Sequence, residues 1–408
     1  MSHIVIIGAG ECGARATFAL REKGFDGRVT LVGAETHLPY ERPPLSKEAL
    51  LHGHAPKLVS ELAQYAEAGI EVLTGVTAES IDPAGKIVRL SNGVILAYDQ
   101  LLLTTGARPR PFPGLSGDNH RIRTLRTHGD AVEIRNALQP GKHLAVIGGG
   151  FIGLELAATA RKLGVAVTLV EGLPRILSRG VPEPIAAIVA DRHRAEGVEL
   201  LCGARIESLS EDGDAAHIRL ADGRTISADM IVVGIGAVPN VELARDAGLA
   251  IDNGIAVDEH LRTSAPDIFA AGDCCSFPLS HYGGRRLRLE AWRNAHDQGN
   301  LAAANLMGEG ATVSAVPWFW SDQYDLTLQI AGMADGATLT VRREVAEGAF
   351  ILFHLDETGR LIAASGIGTG NSIARDIRLA EMMIAAGVRP DPDALAAPGT
   401  KLKSLLAA

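Results

Sequence analysis

The chain has 408 residues, room for two or three domains, and its 47% hydrophobic and 21% charged residues exclude a disordered protein. Its 39 basic and 48 acidic residues leave a formal charge of −9, so nucleic acid is not expected as the main partner, because phosphate binding needs surplus Lys and Arg. The 4 cysteines form no CxxC pair, so neither a disulfide scaffold nor a zinc or iron–sulfur site is expected, and no metal is assigned. No basic segment precedes the first apolar run, and no apolar run nears ~18 residues without interruption, so a cytoplasmic protein with no signal peptide or membrane span is expected.

The elements repeat along the chain. A strand at 4–7 runs into Gly8-Ala9-Gly10-Glu11-Cys12-Gly13, followed by a helical pattern and a strand at Arg28–Val32. A strand at 144–147 runs into Gly148-Gly149-Gly150-Phe151-Ile152-Gly153, followed by a helix to about residue 163 and a strand at 166–170. Residues 69–75 resemble 197–203, 89–93 resemble 219–223 with an Asx-Gly hairpin turn in each, and 99–109 resemble 229–239. Two homologous dinucleotide-binding domains of Rossmann type are predicted: 1–112 with 244–316, and 113–243. Residues 317–408 differ. After Pro317-Trp318-Phe319-Trp320, β-like runs at 326–330, 337–341, Ala349–Leu355 and 361–365 precede a helix at 373–386, which reads as a small α+β domain. Pro390, Pro392, Pro398 and the final residues read as a surface tail.

A GxGxxG loop lets backbone N–H groups approach a pyrophosphate at an electropositive helix start. Both copies follow a strand, open a helix and precede an acid about 20 residues on, Glu35 and Glu171. Glu171 suits a ribose with a free 2′-hydroxyl and so favours NADH over NADPH, although Arg175 nearby could answer a 2′-phosphate. Asp273, after Gly272 at the end of an apolar strand, suits a ribitol hydroxyl; the same residue pair also serves as an ordinary helix cap. Two bound nucleotides imply hydride transfer from nicotinamide to flavin. Residues 38–50 contain no Cys for a thiol relay, so the electrons are expected to leave for an outside acceptor.

The strings 8–13, Leu38-Pro39-Tyr40-Glu41-Arg42-Pro43-Pro44-Leu45-Ser46-Lys47, Thr105-Gly106-Ala107, 148–155, Gly272-Asp273, Glu290-Ala291-Trp292-Arg293-Asn294-Ala295 and Pro317-Trp318-Phe319-Trp320-Ser321-Asp322-Gln323 together resemble the ferredoxin reductases of oxygenase systems over essentially the whole chain. The resemblance implies an α/β flavoenzyme of glutathione-reductase-like fold. Such an enzyme passes electrons from NADH through FAD to a [2Fe–2S] ferredoxin feeding a cytochrome P450 or Rieske oxygenase. Carried over by motif, Gly8, Gly10, Cys12, Gly13, Glu35, Arg42, Lys47, Val76, Thr105, Gly106, Arg126, Asp273 and Trp292 would hold FAD. Gly148, Gly150, Phe151, Ile152, Gly153, Glu155, Glu171, Gly236 and Glu290 would meet NAD. Lys47 and Glu155 are expected to pair beside the flavin and carry the catalytic role.

Arg285, Arg286 and Arg293 form a basic run in an acidic chain, either a solvated face or a docking patch for an acidic ferredoxin, with Trp320 at the electron exit. Trp318 and Trp320 also have the character of core residues. A rubredoxin reductase and a flavin-binding protein of apoptosis-inducing-factor type are the alternatives.

Overall fold

A computed structural model describes residues 2–115 and 119–407. The chain forms two compact units. The first comprises Met1–Glu41, Pro56–Arg108 and Val238–Pro317; the second comprises Arg42–Ala55, Pro109–Ala237 and Trp318–Ala408. The predicted duplication shows itself as one sheet architecture built twice, once in each unit.

In the first unit, five parallel strands run in the order Ile268–Ala270, Gln100–Leu103, His3–Ile7, Arg28–Val32, Ile70–Leu73. Ile4, Val5 and Ile6 of the central strand have no exposed surface, as expected for a parallel strand covered on both faces. The helix Glu11–Glu22 packs on the helix Trp292–Leu306 at Gly299, where a Cβ would come within 2.6 Å of the Cys12 carbonyl oxygen. An antiparallel meander, Ala78–Asp82, Ile87–Leu90 and Ile95–Ala97, turns at Asn92-Gly93, with Gly93 at φ 83°.

In the second unit, the parallel sheet runs Val198–Cys202, Ala166–Glu171, His143–Ile147, Met230–Val233, Ile122–Arg123. The matching meander is Ile206–Glu211, Ala216–Leu220 and Thr225–Ala228. Ile218 and Leu220 of the meander share one core with Ile147, Val170 and Ile231 of the sheet.

The C-terminal part of this unit is a five-stranded antiparallel sheet ordered Trp318–Gln323, Leu326–Gly332, Leu361–Thr369, Ala349–Leu355, Leu339–Ala346, followed by the helix Ala374–Ala386. Two features depart from the sequence reading. Trp318–Gln323 is itself an edge strand, not a lead-in to the sheet. The segment after Pro390 is not merely laid on the surface: it forms the short helix Pro392–Ala396 and a 3-10 turn, with Leu395 and Leu402 buried. Buried Arg343 donates to the carbonyls of Leu395 (3.1 Å), Ala397 (2.6 Å), Pro398 (3.0 Å) and Thr400 (2.8 Å), which ties the segment to the sheet. Ala408 lies outside the described residues. Among the described residues, no helix is long and apolar enough to cross a membrane.

Candidate functional site

In the first unit, the chain leaves the strand His3–Ile7 through Gly8, at φ 116°, where a Cβ would stand 2.1 Å from the Thr104 carbonyl oxygen. A Cβ on Gly13 would stand 2.0 Å from the Gly8 oxygen. Gly10 behaves differently. It is the helix N-cap, makes no side-chain cap, and a Cβ there would meet nothing within 4 Å. Two glycines are therefore demanded by the protein's own packing, and the third opens the N–H groups of the helix start outward. That is the arrangement a pyrophosphate needs, and the loop fits a dinucleotide.

Around this loop, Glu35 accepts a hydrogen bond of 2.5 Å from the hydroxyl of buried Tyr40, which orients the carboxylate. Val76 gives its N–H to Gly33 (2.9 Å). Thr104, which sequence reasoning passed over for its neighbours, donates to the carbonyls of Gly8 (2.8 Å) and Ile7 (3.1 Å) and so braces the loop from below. The hydroxyl of Thr105 donates to the Asn240 carbonyl, and the Asn240 backbone N–H donates to the Gly106 carbonyl, so these residues shape the adjacent turn. Gly272, at φ 81°, presses its α-carbon side against Cys12: a Cβ there would lie 3.2 Å from the Cys12 Cβ. Asp273 therefore begins its turn beside the first loop. Gln298, on the same helix as Trp292, accepts from the Gly272 N–H at 2.7 Å.

The second unit repeats the pattern. Gly148 lies at φ 108° with a virtual Cβ 2.3 Å from the Gly234 oxygen, a Cβ on Gly153 would lie 2.2 Å from the Gly148 oxygen, and Gly150 is open. Glu171 accepts from the N–H groups of Gly149 (2.6 Å) and Leu173 (2.7 Å), which fixes its carboxylate at the mouth of the loop. The Arg175 guanidinium is occupied by the carbonyls of Ile176, Leu177 and Val181. Phe151 opens the helix and meets Phe319 edge-on, Ile152 is exposed, and Gly236 is at φ 107° with nothing within 4 Å of a Cβ.

The same unit brings Lys47 and Glu155 together at 3.0 Å. Glu155 is 7% exposed and accepts two further hydrogen bonds of 2.6 Å, from Ser46 to one oxygen and from Ser321 to the other. Thr159, one turn along the Glu155 helix, donates to the Ser46 carbonyl at 2.8 Å. Burial of a carboxylate is costly unless it is paired and hydrogen-bonded, and here three donors meet that requirement. The Lys47 ammonium lies 6.0 Å from the ring centre of Trp320, which stacks on Trp318 at 5.3 Å. The two serines were missed as site residues. The signal was available, since each sits inside one of the two distinctive strings, Pro-Pro-Leu-Ser-Lys and Trp-Phe-Trp-Ser-Asp-Gln.

Of the remaining candidates, Arg42 donates to the Arg126 carbonyl at 2.7 Å, so these two meet. Glu290 belongs to the first unit and pairs with Arg288. Within the basic run, the Arg286 guanidinium is taken up by the carbonyls of Val257 and Ser276, Arg293 approaches Asp297 at 3.7 Å, and Arg285 is exposed. All four cysteines are free; burial pushes the thiols of Cys12, Cys274 and Cys275 up, which keeps them protonated and poor nucleophiles.

Residues 2–299 match the family described as pyridine nucleotide-disulphide oxidoreductase, and residues 318–406 match the reductase C-terminal family. The chain belongs to the pyridine nucleotide-disulphide oxidoreductases. It is 41% identical over 98% of both chains to the anthranilate 1,2-dioxygenase system ferredoxin–NAD(+) reductase component of Burkholderia cepacia. It is 37% identical to the putidaredoxin reductase of Pseudomonas putida, covering 100% of this chain and 97% of that one. Among solved structures it superimposes on the reductase of the covalent putidaredoxin reductase–putidaredoxin complex with a TM-score of 0.93, at 36% identity, covering 100% of this chain and 98% of that chain. The ferredoxin reductase for the CYP199A2 system of Rhodopseudomonas palustris gives a TM-score of 0.92 at 36% identity, covering 99% of each chain. The glutathione-reductase-like α/β fold that the resemblance implied is the fold observed.

Proposed function

We propose that this oxidoreductase takes hydride from NADH onto bound FAD and passes the electrons singly to a [2Fe–2S] ferredoxin serving a cytochrome P450 or Rieske-type oxygenase. The observation that carries the reading is the end-to-end match to ferredoxin–NAD(+) reductases in a chain whose thiols at the first loop are buried and protonated. Electrons that cannot enter a thiol pair must go to an outside acceptor. FAD, when bound, supplies the conversion between a two-electron donor and a one-electron acceptor. The chain's part is to hold the nucleotides, exclude water and place charge.

The glycines of 8–13 receive the FAD pyrophosphate, Glu35 its ribose, Asp273 its ribitol, with Arg42, Val76, Thr105, Gly106, Arg126 and Trp292 completing the contacts. Gly148, Gly150, Phe151, Ile152, Gly153, Gly236 and Glu290 serve NAD, and Lys47 with Glu155 orders the reacting region. We assign 1–112 with 244–316 to FAD, 113–243 to NAD and 317–408 to the ferredoxin side. The reading puts the chain in the cytoplasm, where NADH is supplied. NADH-driven cytochrome c reduction, run with and without a purified [2Fe–2S] ferredoxin, tests it: ferredoxin should accelerate turnover. Stimulation by rubredoxin alone, or by neither carrier, would turn the assignment to one of the alternatives.

Coenzyme choice follows from Glu171. Its carboxylate is held by two backbone N–H groups, and Arg175 is committed to carbonyls. NADH is expected to exceed NADPH in kcat/KM. Glu171→Ala should cut the NADH value about tenfold or more, because a hydrogen bond to a charged group is worth about 1.5–3 kcal/mol. Equal use of both coenzymes by the unaltered enzyme counts against this.

Ferredoxin docking is assigned to Trp320 and the basic run, with Arg285 as the residue to test. Arg286 is unsuitable for charge reversal because its guanidinium serves two carbonyls. Arg285→Glu should slow ferredoxin reduction several-fold at low salt, the effect fading as salt rises, and leave ferricyanide turnover intact. Trp320→Ala should affect ferredoxin more than ferricyanide. A parallel fall in both reactions assigns these residues to folding.

A further inference from the structure

The Glu155 carboxylate ends a line of hydrogen bonds that crosses the second unit. Ser321 donates to Glu155 at 2.6 Å, Gln323 Nε2 donates to Ser321 Oγ at 3.1 Å, His193 Nε2 meets Gln323 Oε1 at 2.8 Å, and the Tyr324 hydroxyl meets His193 Nδ1 at 3.3 Å. Ser321, Gln323 and His193 are all buried. Tyr324 lies at φ 58°, an uncommon conformation for an aromatic residue, and its ring stands edge-on to the imidazole at 5.0 Å.

The direction of every bond follows from the terminal acceptor. A carboxylate only accepts, so the Ser321 hydroxyl must donate to it. Ser321 Oγ must then accept, so Gln323 turns its NH2 toward the serine and its carbonyl oxygen toward His193. His193 therefore carries its proton on Nε2, and Nδ1 receives the Tyr324 hydroxyl. We propose that Ser321, Gln323, His193 and Tyr324 are positioning residues, a one-way donor chain that holds the Glu155 carboxylate in place for Lys47. Burial lowers the His193 pKa and so keeps the ring neutral, as a chain with one donor and one acceptor nitrogen requires. Charged groups flank both ends: Lys47 at Glu155, and Arg192, paired with Glu196 (3.3 Å) and Asp325 (3.0 Å), at Tyr324. Because strand residues alternate, Ser321 and Gln323 share one face of Trp318–Gln323 while Trp318 and Trp320 occupy the other. The chain that orients Glu155 thus also anchors the strand bearing Trp320.

This inference rests on the role given to Glu155 above, and its test has a readout that does not depend on the electron acceptor. Nitrogen-15 NMR of the flavin-loaded, full-length protein, with His193 assigned through His193→Gln, should show the Nε2–H tautomer. Glu155→Gln replaces the terminal acceptor by a group that can also donate, so His193 should populate both tautomers although two side chains separate it from residue 155. Gln323→Met, of similar volume, should break that dependence. Ser321→Ala should slow flavin reduction by NADH about tenfold, as expected for one lost hydrogen bond to a charged group, with NADH affinity changed less than about twofold. An Nδ1–H tautomer, a His193 signal indifferent to Glu155→Gln, or a full flavin-reduction rate in folded Ser321→Ala overturns the proposal. Failure to reduce ferredoxin alongside the expected spectra and flavin-reduction rates refutes the acceptor assignment alone.

Discussion

Gly13→Ala is expected to yield protein without flavin, and Gly153→Ala a yellow protein whose flavin NADH no longer reduces. In each loop the new Cβ would stand 2.0 or 2.2 Å from a backbone oxygen, that of Gly8 or Gly148. Neither oxygen can move aside freely, because the Gly8 and Gly148 N–H groups are each held at 2.8 Å by the neighbouring strand, through Val32 and Val170. The helix start must shift by about an ångström, a displacement that costs on the order of 100-fold where groups must be aligned. Gly10→Ala is the informative control. Its backbone is extended at φ −95°, ψ −167° and a Cβ there would meet nothing within 4 Å beyond its chain neighbours, so the variant should fold with native stability and lose only affinity for the nucleotide. Flavin absorbance per chain and bleaching by NADH measure all three variants. Normal NADH reduction of Gly153→Ala would remove the second loop from the nicotinamide site.

Arg343→Met should destabilise the protein by about 3–5 kcal/mol, read as a shift of the urea midpoint, without touching either nucleotide loop. Arg343 is 6% exposed, and its guanidinium answers four carbonyls between Leu395 and Thr400 as well as Asp376 at 3.8 Å. Met keeps the volume but leaves those acceptors buried without a donor. Arg343→Lys should rescue little, since an ammonium has three donors on one atom and cannot span carbonyls spread over six residues. A Met variant within about 1 kcal/mol of the parent would show that the C-terminal segment is held by Leu395 and Leu402 alone.

The nucleotide loops were legible because their chemistry is local. A strand, a turn of three glycines and a helix lie within about ten residues, and that spacing marks the loop without help from the rest of the chain. The antiparallel C-terminal strands were visible through period-two alternation, though the strand expected at 337–341 forms at Leu339–Ala346, where pairing with Ala349–Leu355 extends it. Trp318–Gln323 escaped as a strand because its two faces are both aromatic or polar, which masks the alternation. The basic run illustrates the opposite limit: its three arginines look alike in sequence, and only the structure shows that Arg286 is held by backbone carbonyls.

What the amino-acid order determined by itself was the duplicated βαβ plan with its two glycine-rich loops and the absence of a thiol pair within 38–50. The surroundings of Glu155 were decided only by tertiary structure. Ser46, Lys47 and Ser321 lie more than 100 residues from it in sequence, and the Tyr324-to-Glu155 line depends on His193 from yet another helix. A glycine loop announces itself by its spacing between a strand and a helix and can be read in place. A buried carboxylate's requirement is met by whichever donors the packed sheet and helices carry to it, and those donors have no fixed spacing along the chain.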